Sequence, residues 1–198
     1  PSPDRVWINT GQGKFREMNS IPLRHTSRSA MGIDFADINR DGWDDFIVVD
    51  MLARNPRKRL TQLVHDGPDP ATVELVREAP SYNRNTLFLG RPDGTYAETA
   101  FMAGVAASDW SWCPVFLDVD LDGYEDLLIS NGFGLDVMDQ DSNDRIRSTK
   151  LSLEQQRRAR LMHPAFGTEN AAFRNRGDGT FEPVSHAWGF HQEGISYG

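Results

Sequence analysis

Two nine-residue stretches of the chain place oxygen-bearing side chains at alternate positions. The first reads Asp-Ile-Asn-Arg-Asp-Gly-Trp-Asp-Asp over residues 37–45, and the second reads Asp-Val-Asp-Leu-Asp-Gly-Tyr-Glu-Asp over residues 118–126. A hard cation such as Ca2+ takes about six to eight oxygen ligands, and a tight loop can deliver them from alternate side chains. We refer to these stretches as loop 1 and loop 2, and both are predicted to bind calcium.

Each loop offers four side chains and one backbone carbonyl group as predicted ligands. In loop 1 they are the side chains of Asp37, Asn39, Asp41 and Asp45 and the carbonyl of Trp43. In loop 2 they are the side chains of Asp118, Asp120, Asp122 and Asp126 and the carbonyl of Tyr124. A glycine follows the third side-chain ligand in both loops, where the chain must bend sharply.

Two other interpretations, an EF-hand and an ion-free turn, fit the loops less well. An EF-hand begins in the same way, but it needs a Glu at its twelfth position, where this chain has Val48 and Ile129. An Asp-rich surface turn without an ion is also possible, because Asp, Asn and Gly favour turns. Three or four carboxylates within nine residues repel one another unless a cation joins them, which favours calcium.

The loops belong to a repeat that fixes the expected fold. They start 81 residues apart, and three further stretches, at residues 6–15, 87–96 and 172–181, resemble one another. The interval from Phe15 to Asp37 equals the interval from Tyr96 to Asp118, at 22 residues, so hairpins and loops form one unit. Apolar runs at 33–36, 46–49, 115–117 and 127–129 predict strands on either side of the loops.

Four antiparallel strands per repeat predict an all-β fold, a β-propeller of four-stranded blades. The chain is predicted to be a single partial propeller domain with two full blades at 32–112 and 113–193. Residues 1–31 would supply the second hairpin of a preceding blade with a linker, and residues 194–198 the start of the next. Two blades cannot close a ring that needs at least about four, so further blades are expected from the same or neighbouring chains.

Short helices are predicted between the second and third strands of each blade. In the first blade Asp69 would cap a helix that begins at Pro70 and stops at Pro80. In the second blade Ser152 and Gln155 fit a capping box for a helix over residues 153–162.

The composition narrows the function classes. The net charge is −8, with 29 acidic and 21 basic residues, which argues against a nucleic-acid partner. No apolar run has the length of a membrane span. The single cysteine excludes an intrachain disulfide and a Cys-based zinc site.

At these loops and the strands beside them, the chain resembles the FG-GAP/VCBS repeats of integrin α-type propellers. The stretches TSRSAMGIDFADINRDGWDDFIVVDML and DWSWCPVFLDVDLDGYEDLLISNG are similar, more narrowly, to bacterial VCBS-repeat proteins related to cartilage acidic protein, which often carry an ASPIC/UnbV segment. The resemblance implies a secreted, cell-surface or periplasmic propeller with calcium in the loops of some blades. It implies no catalytic residues.

The predicted function is therefore a calcium-stabilised extracellular module that binds a protein or glycan, as in adhesion, and not an enzyme. The alternative is a propeller part, catalytic or not, of a larger secreted enzyme. A Gly-x-Ser-x-Gly sequence at 194–198 matches a hydrolase nucleophile elbow, but it aligns with the approach to a first strand and no acid or His follows it. A third possibility is a structural surface protein without a specific ligand.

Overall fold

The computed structural model describes residues 5–18, 23, 25–62, 80–149 and 151–197. Strands dominate this part of the chain, with a few short helices. The strands are β1 (Val6–Gly11), β2 (Lys14–Met18), β3 (Thr26–Ser27), β4 (Gly32–Ala36), β5 (Asp45–Val49), β6 (Met51–Leu52), β7 (Ser81–Tyr82), β8 (Thr86–Gly90), β9 (Tyr96–Glu98), β10 (Asp109–Leu117), β11 (Asp126–Asn131), β12 (Thr168–Glu169), β13 (Ala171–Asn175), β14 (Phe181–Pro183) and β15 (Glu193–Gly194). The helices are α1 (Pro56–Thr61), α2 (Ala100–Ala103), α3 (Gln140–Ser148) and α4 (Leu153–Ala159), which a 3-10 turn at Arg160–Met162 follows.

The two repeats form two equivalent antiparallel sheets. The first sheet has the strand order β4-β5-β8-β9, and the second contains β10-β11-β13-β14 in the same sequence of neighbours. Loop 1 joins β4 to β5 and loop 2 joins β10 to β11, so each loop closes the first hairpin of its sheet. The four-stranded unit predicted from the repeat is present in both copies.

The second sheet has a fifth strand that the sequence did not predict. Strand β6 comes from the first repeat and pairs antiparallel with β10, Leu52 opposite Asp109 and Met51 opposite Trp110. A backbone ladder therefore joins the two repeats in addition to side-chain packing.

Alternation along the strands gives the first sheet two apolar faces. In the first sheet Ile47, Val49 and Leu87 pack against Leu127 and other side chains of the second sheet in one buried core. The opposite face of the first sheet presents Phe46, Val48 and Phe88, with Leu23 beside them, in a second cluster. Successive side chains of a strand point to opposite faces, so a central strand buried on both sides must be apolar throughout.

Strand β4 of the first sheet lies against β10 of the second sheet at Gly32. A Cβ atom at this position would lie 2.3 Å from the carbonyl oxygen of Trp112 and 2.7 Å from Cδ of Pro114. Nearby, the backbone N–H of Phe116 donates to Oδ2 of Asp34 at 2.7 Å. Strand β4 therefore contacts β10 with backbone against backbone.

The helical insertions agree with the prediction in one case. The capping box is present, because Ser152 N–H donates to Oε1 of Gln155 at 2.9 Å and Gln155 N–H donates to Oγ of Ser152 at 3.3 Å. The helix predicted at 70–80 falls on residues 63–79 for nearly all its length, outside the described part. Helices α1, α2 and α3 were not predicted. Asn55 caps α1 and Pro56 occupies its first turn. This pair is a helix start signal in the sequence that was not used to predict α1.

No helix among the described residues has both the length and the apolar character that crossing a membrane requires.

Replacing Gly32 with Ala tests the close packing of the repeats. The added methyl group must displace backbone of β10, so Gly32→Ala is expected to lower the free energy of unfolding by about 1–3 kcal/mol. Gly194→Ala is the control, because a Cβ atom there meets nothing within 4 Å. Urea denaturation of both variants measures the difference, and equal stabilities would contradict the described packing.

Candidate metal centre

The two loops share one backbone conformation. The residue before the third predicted ligand is left-handed in both, with φ of 62° at Arg40 and 60° at Leu121. The glycine after that ligand is also left-handed, with φ of 87° at Gly42 and 95° at Gly123. A non-glycine residue rarely adopts this conformation, so its occurrence at equivalent positions indicates a specific loop geometry.

The first aspartate of each loop holds the turn together. In loop 1 the backbone N–H groups of Asp41 and Gly42 donate to the two carboxylate oxygens of Asp37, at 3.0 and 2.9 Å. In loop 2 the N–H groups of Asp122 and Gly123 donate to Asp118 in the same way, each at 3.0 Å. Because each carboxylate oxygen carries two lone pairs, these bonds leave capacity for a cation.

The last aspartate of each loop is fully buried. Asp45 accepts hydrogen bonds from the N–H of Ile38 at 3.1 Å and from the N–H of Gly90 at 2.7 Å. Asp126 accepts from the N–H of Val119 at 3.0 Å and from the N–H of Asn175 at 2.9 Å. Each carboxylate thus ties its loop to the third strand of its own sheet.

Burial and neighbouring charges act against ionisation of these buried acids. Burial raises the pKa of Asp45 to about 6, and the nearby Asp41 and Asp37 add to the effect, although two backbone hydrogen bonds oppose it. Burial likewise raises the pKa of Asp126, with Asp120 and Asp122 contributing. A cation bound in the loop would favour the charged form of both groups.

Loop 2 brings three carboxylates together. One oxygen from each of Asp118, Asp120 and Asp126 lies within 4.8 Å of the others. Oxygens bound to one Ca2+ at about 2.3–2.6 Å can be at most about 5 Å apart, so this trio fits a calcium ion. The donor set is all oxygen, which also suits a hard cation.

Asp122 and loop 1 differ from this arrangement. Asp122 does not belong to the trio; its Oδ1 accepts from the N–H of Tyr124 at 3.0 Å. The corresponding trio of loop 1 is Asp37, Asn39 and Asp45, in which an amide replaces one carboxylate. The side chain of Asn39 bonds to Asp41 instead, its Nδ2 donating to Oδ2 at 3.0 Å. The carbonyl groups of Trp43 and Tyr124 remain predicted ligands.

Arg174, which was not predicted as a site residue, places a guanidinium group on loop 2. Nε of Arg174 lies 2.7 Å from Oδ2 of Asp120, and its NH2 lies 3.4 Å from Oδ2 of Asp122. The equivalent position of β8 is Leu89, so the pair occurs in one repeat only. The signal in the sequence was this replacement of an apolar strand residue by Arg.

Two side chains that were not predicted as site residues connect the loops. Nε of Arg40 in loop 1 donates to the carbonyl oxygen of Gly123 at 2.6 Å, and NH2 of Arg40 lies 3.1 Å from Oε2 of Glu125. Nδ2 of Asn175 donates to the carbonyl oxygens of Ile38 at 2.8 Å and Glu125 at 3.1 Å. The two loops are therefore adjacent and joined by hydrogen bonds. Their spacing in the sequence does not predict this contact.

The comparison with protein families agrees with this geometry. Residues 1–48 match the family model of the FG-GAP-like repeat. The matched stretch runs from the β1–β2 hairpin through β4 and loop 1 into β5. It supports a repeat protein of the FG-GAP type, and the sheets described above fit a β-propeller-like all-β fold. No protein of curated function matches the chain.

The buried carboxylate of loop 1 makes stability pH-dependent in calcium-free buffer. Asp45 has a folded pKa of about 6 against 3.8 for the unfolded chain, so the folded state binds more protons between these values. The unfolding free energy is therefore expected to fall as pH rises from about 4 to 6, by up to about 3 kcal/mol from this group. Chemical denaturation at several pH values, with and without Asp45→Asn, measures this contribution.

Asp93→Asn is the control for that experiment. Asp93 is an exposed turn residue whose pKa is lowered by hydrogen bonds from Thr95, so it titrates below the window. The slope between pH 4 and 6 should flatten in Asp45→Asn and persist in Asp93→Asn. The same slope in both variants would mean that Asp45 is ionised throughout the range.

Proposed function

We propose that the chain is a calcium-binding β-propeller module that acts outside the cell in binding a protein or glycan, as in adhesion, without catalytic activity of its own. Calcium has a structural role, one ion in loop 1 and one in loop 2. The narrower similarity to bacterial VCBS-repeat proteins of the cartilage acidic protein type belongs to this proposal, as does a location on the cell surface, in the medium or in the periplasm.

The observation that carries the proposal is the convergence of Asp118, Asp120 and Asp126. Their oxygens are close enough to share one cation, and without one they repel across less than 5 Å. Loop 1 repeats the backbone conformation and the hydrogen bonds of loop 2, so the same role is assigned to it. The FG-GAP-like repeat supports the propeller and the binding role.

Calcium stabilises the module by a moderate amount. At a free concentration about tenfold above the dissociation constant, each site adds about 1.4 kcal/mol to the free energy of unfolding. This stabilisation acts on the loops that join β4 to β5 and β10 to β11. Hydrogen bonds of Arg40 and Asn175 link these two loops. Calcium in both loops therefore fixes the orientation of the two sheets relative to each other. The ligand of the module would bind elsewhere on these sheets.

Calorimetric titration with calcium tests the proposal. Two binding events per chain are expected, and Asp41→Ala and Asp120→Ala should each remove one, because each deletes a ligand of a different loop. Asp178→Asn is the matched control: Asp178 is acidic and exposed, but it belongs to a hairpin turn, where it accepts from Thr180. Absence of binding at millimolar calcium, or two events left in both alanine variants, would contradict the proposal.

Arg174 is expected to weaken calcium binding in loop 2, because the ion must displace its guanidinium group from Asp120. Arg174→Leu, which introduces the residue of the equivalent position in β8, should raise the affinity of loop 2 about two- to fivefold. The affinity is measured by the same titration in an Asp41→Ala background. Arg176→Leu removes a cation that pairs with Glu182 outside the loop and should leave the affinity unchanged. If both variants raise the calcium affinity equally, the change in net charge and not the contact with Asp120 is the cause.

A further inference from the structure

The two ends of the sheets differ in charge. The loop end, where β4 joins β5 and β8 joins β9, holds eleven of the 29 acidic residues, counting both loops and the turns at 91–95 and 176–180. At the opposite end, where β5 leaves the sheet, residues 51–62 include Arg54, Arg57, Lys58 and Arg59 and no acid. Residues 51–62 therefore form a cationic segment at this insertion end of a chain whose net charge is −8.

An open groove of about 720 Å³ lies at the insertion end of the first sheet. Among the described residues, its lining includes three arginines and two aromatic residues but no carboxylate: Arg28, Arg59, Arg84, Tyr82 and Phe101. Sites for small ligands are typically concave, with an apolar surface and a few polar groups that fix orientation. The arginines of this described lining favour an anionic ligand.

Arg84 fixes the aromatic part of the groove. It is buried, and its two terminal nitrogens bond to the carboxylate oxygens of Glu98 at 2.9 and 2.5 Å. Its guanidinium carbon lies 4.6 Å from the ring centroid of Phe101 and 5.4 Å from that of Tyr82. The rings of Phe101 and Tyr82 remain 68% and 44% exposed, although large apolar side chains gain free energy on burial. They form a preorganised apolar surface beside the cations.

Arg59 supplies the cation that faces solvent. It is exposed, and its Nε donates to the carbonyl oxygen of Ala53 at 2.5 Å, which anchors the guanidinium group at the rim. The terminal nitrogens make no other hydrogen bond to the described residues. A planar carboxylate fits two parallel N–H donors of arginine, a geometry that lysine does not provide.

The other groups in the groove favour a sugar over an acidic peptide. Ser81 and Asn83 line it with a hydroxyl and an amide, which match the hydroxyl groups of a saccharide. Exposed aromatic rings accept the apolar face of a pyranose, as they accept other flat surfaces. We propose that this groove binds an acidic sugar, a uronate unit of a glycan. The inference rests on the proposed function, since it identifies the ligand class of the binding module.

Titration with a hexasaccharide of alternating glucuronate and N-acetylglucosamine tests the inference on the full chain at fixed calcium. The wild-type chain should bind it, and Arg59→Ala and Phe101→Ala should each weaken binding at least about tenfold. Arg57→Ala is the matched control, because Arg57 is an exposed cation on the same helix that does not line the groove. It should bind within about twofold of wild type.

The probes separate this site from alternatives. The neutral N-acetylglucosamine hexamer and hexaglutamate are expected to bind at least about tenfold more weakly than the acidic hexasaccharide. Equal binding of either probe, an equal loss in Arg57→Ala, or no binding by wild type would overturn the inference. Calcium titration of the same samples measures the loops separately. Absence of saccharide binding would therefore not count against the calcium sites, and absence of calcium binding would be detected independently.

Discussion

The structure depends on a carboxylate buried at the ninth position of each acidic loop. Asp45 and Asp126 lie where the second strand of each sheet begins, and each bonds to an N–H of its own loop and an N–H of the third strand. Burying such a group is costly unless its hydrogen bonds are made. The loop conformation, the start of β5 and β11, and the seating of β8 and β13 are therefore set together.

The same carboxylates would link stability to the proposed cation binding. In the metal-free chain burial raises the pKa of both, and nearby acids of the same loop add to the effect. A bound cation would favour the charged form of these acids. Loop 2 shows an intermediate solution, because Arg174 already neutralises part of its charge. One short motif would thus provide both a strand connection and the proposed metal site, and Arg40 and Asn175 connect the two loops by hydrogen bonds.

Much of this arrangement could be predicted from the sequence, because it follows from local patterns. The spacing Asp-x-Asn-x-Asp-Gly in loop 1 and Asp-x-Asp-x-Asp-Gly in loop 2 predicted the loops, the apolar runs predicted the strands, and Ser152 with Gln155 predicted a helix start that is present. Contacts between distant segments could not be predicted in this way. The pairing of β6 with β10, the ion pair of Arg174 and the bridge from Arg40 to Gly123 depend on how the sheets pack, which no spacing of residues records.

The most direct measurement of the central claim is a crystal structure of the chain grown in millimolar calcium, with anomalous diffraction to identify the metal. The account predicts one ion in each loop, with oxygens at about 2.3–2.6 Å, among them Asp118, Asp120 and Asp126 in loop 2. In that structure Arg174 should have left Asp120. Ordered loops without a metal ion in these crystals, with Arg174 still paired to Asp120, would contradict it.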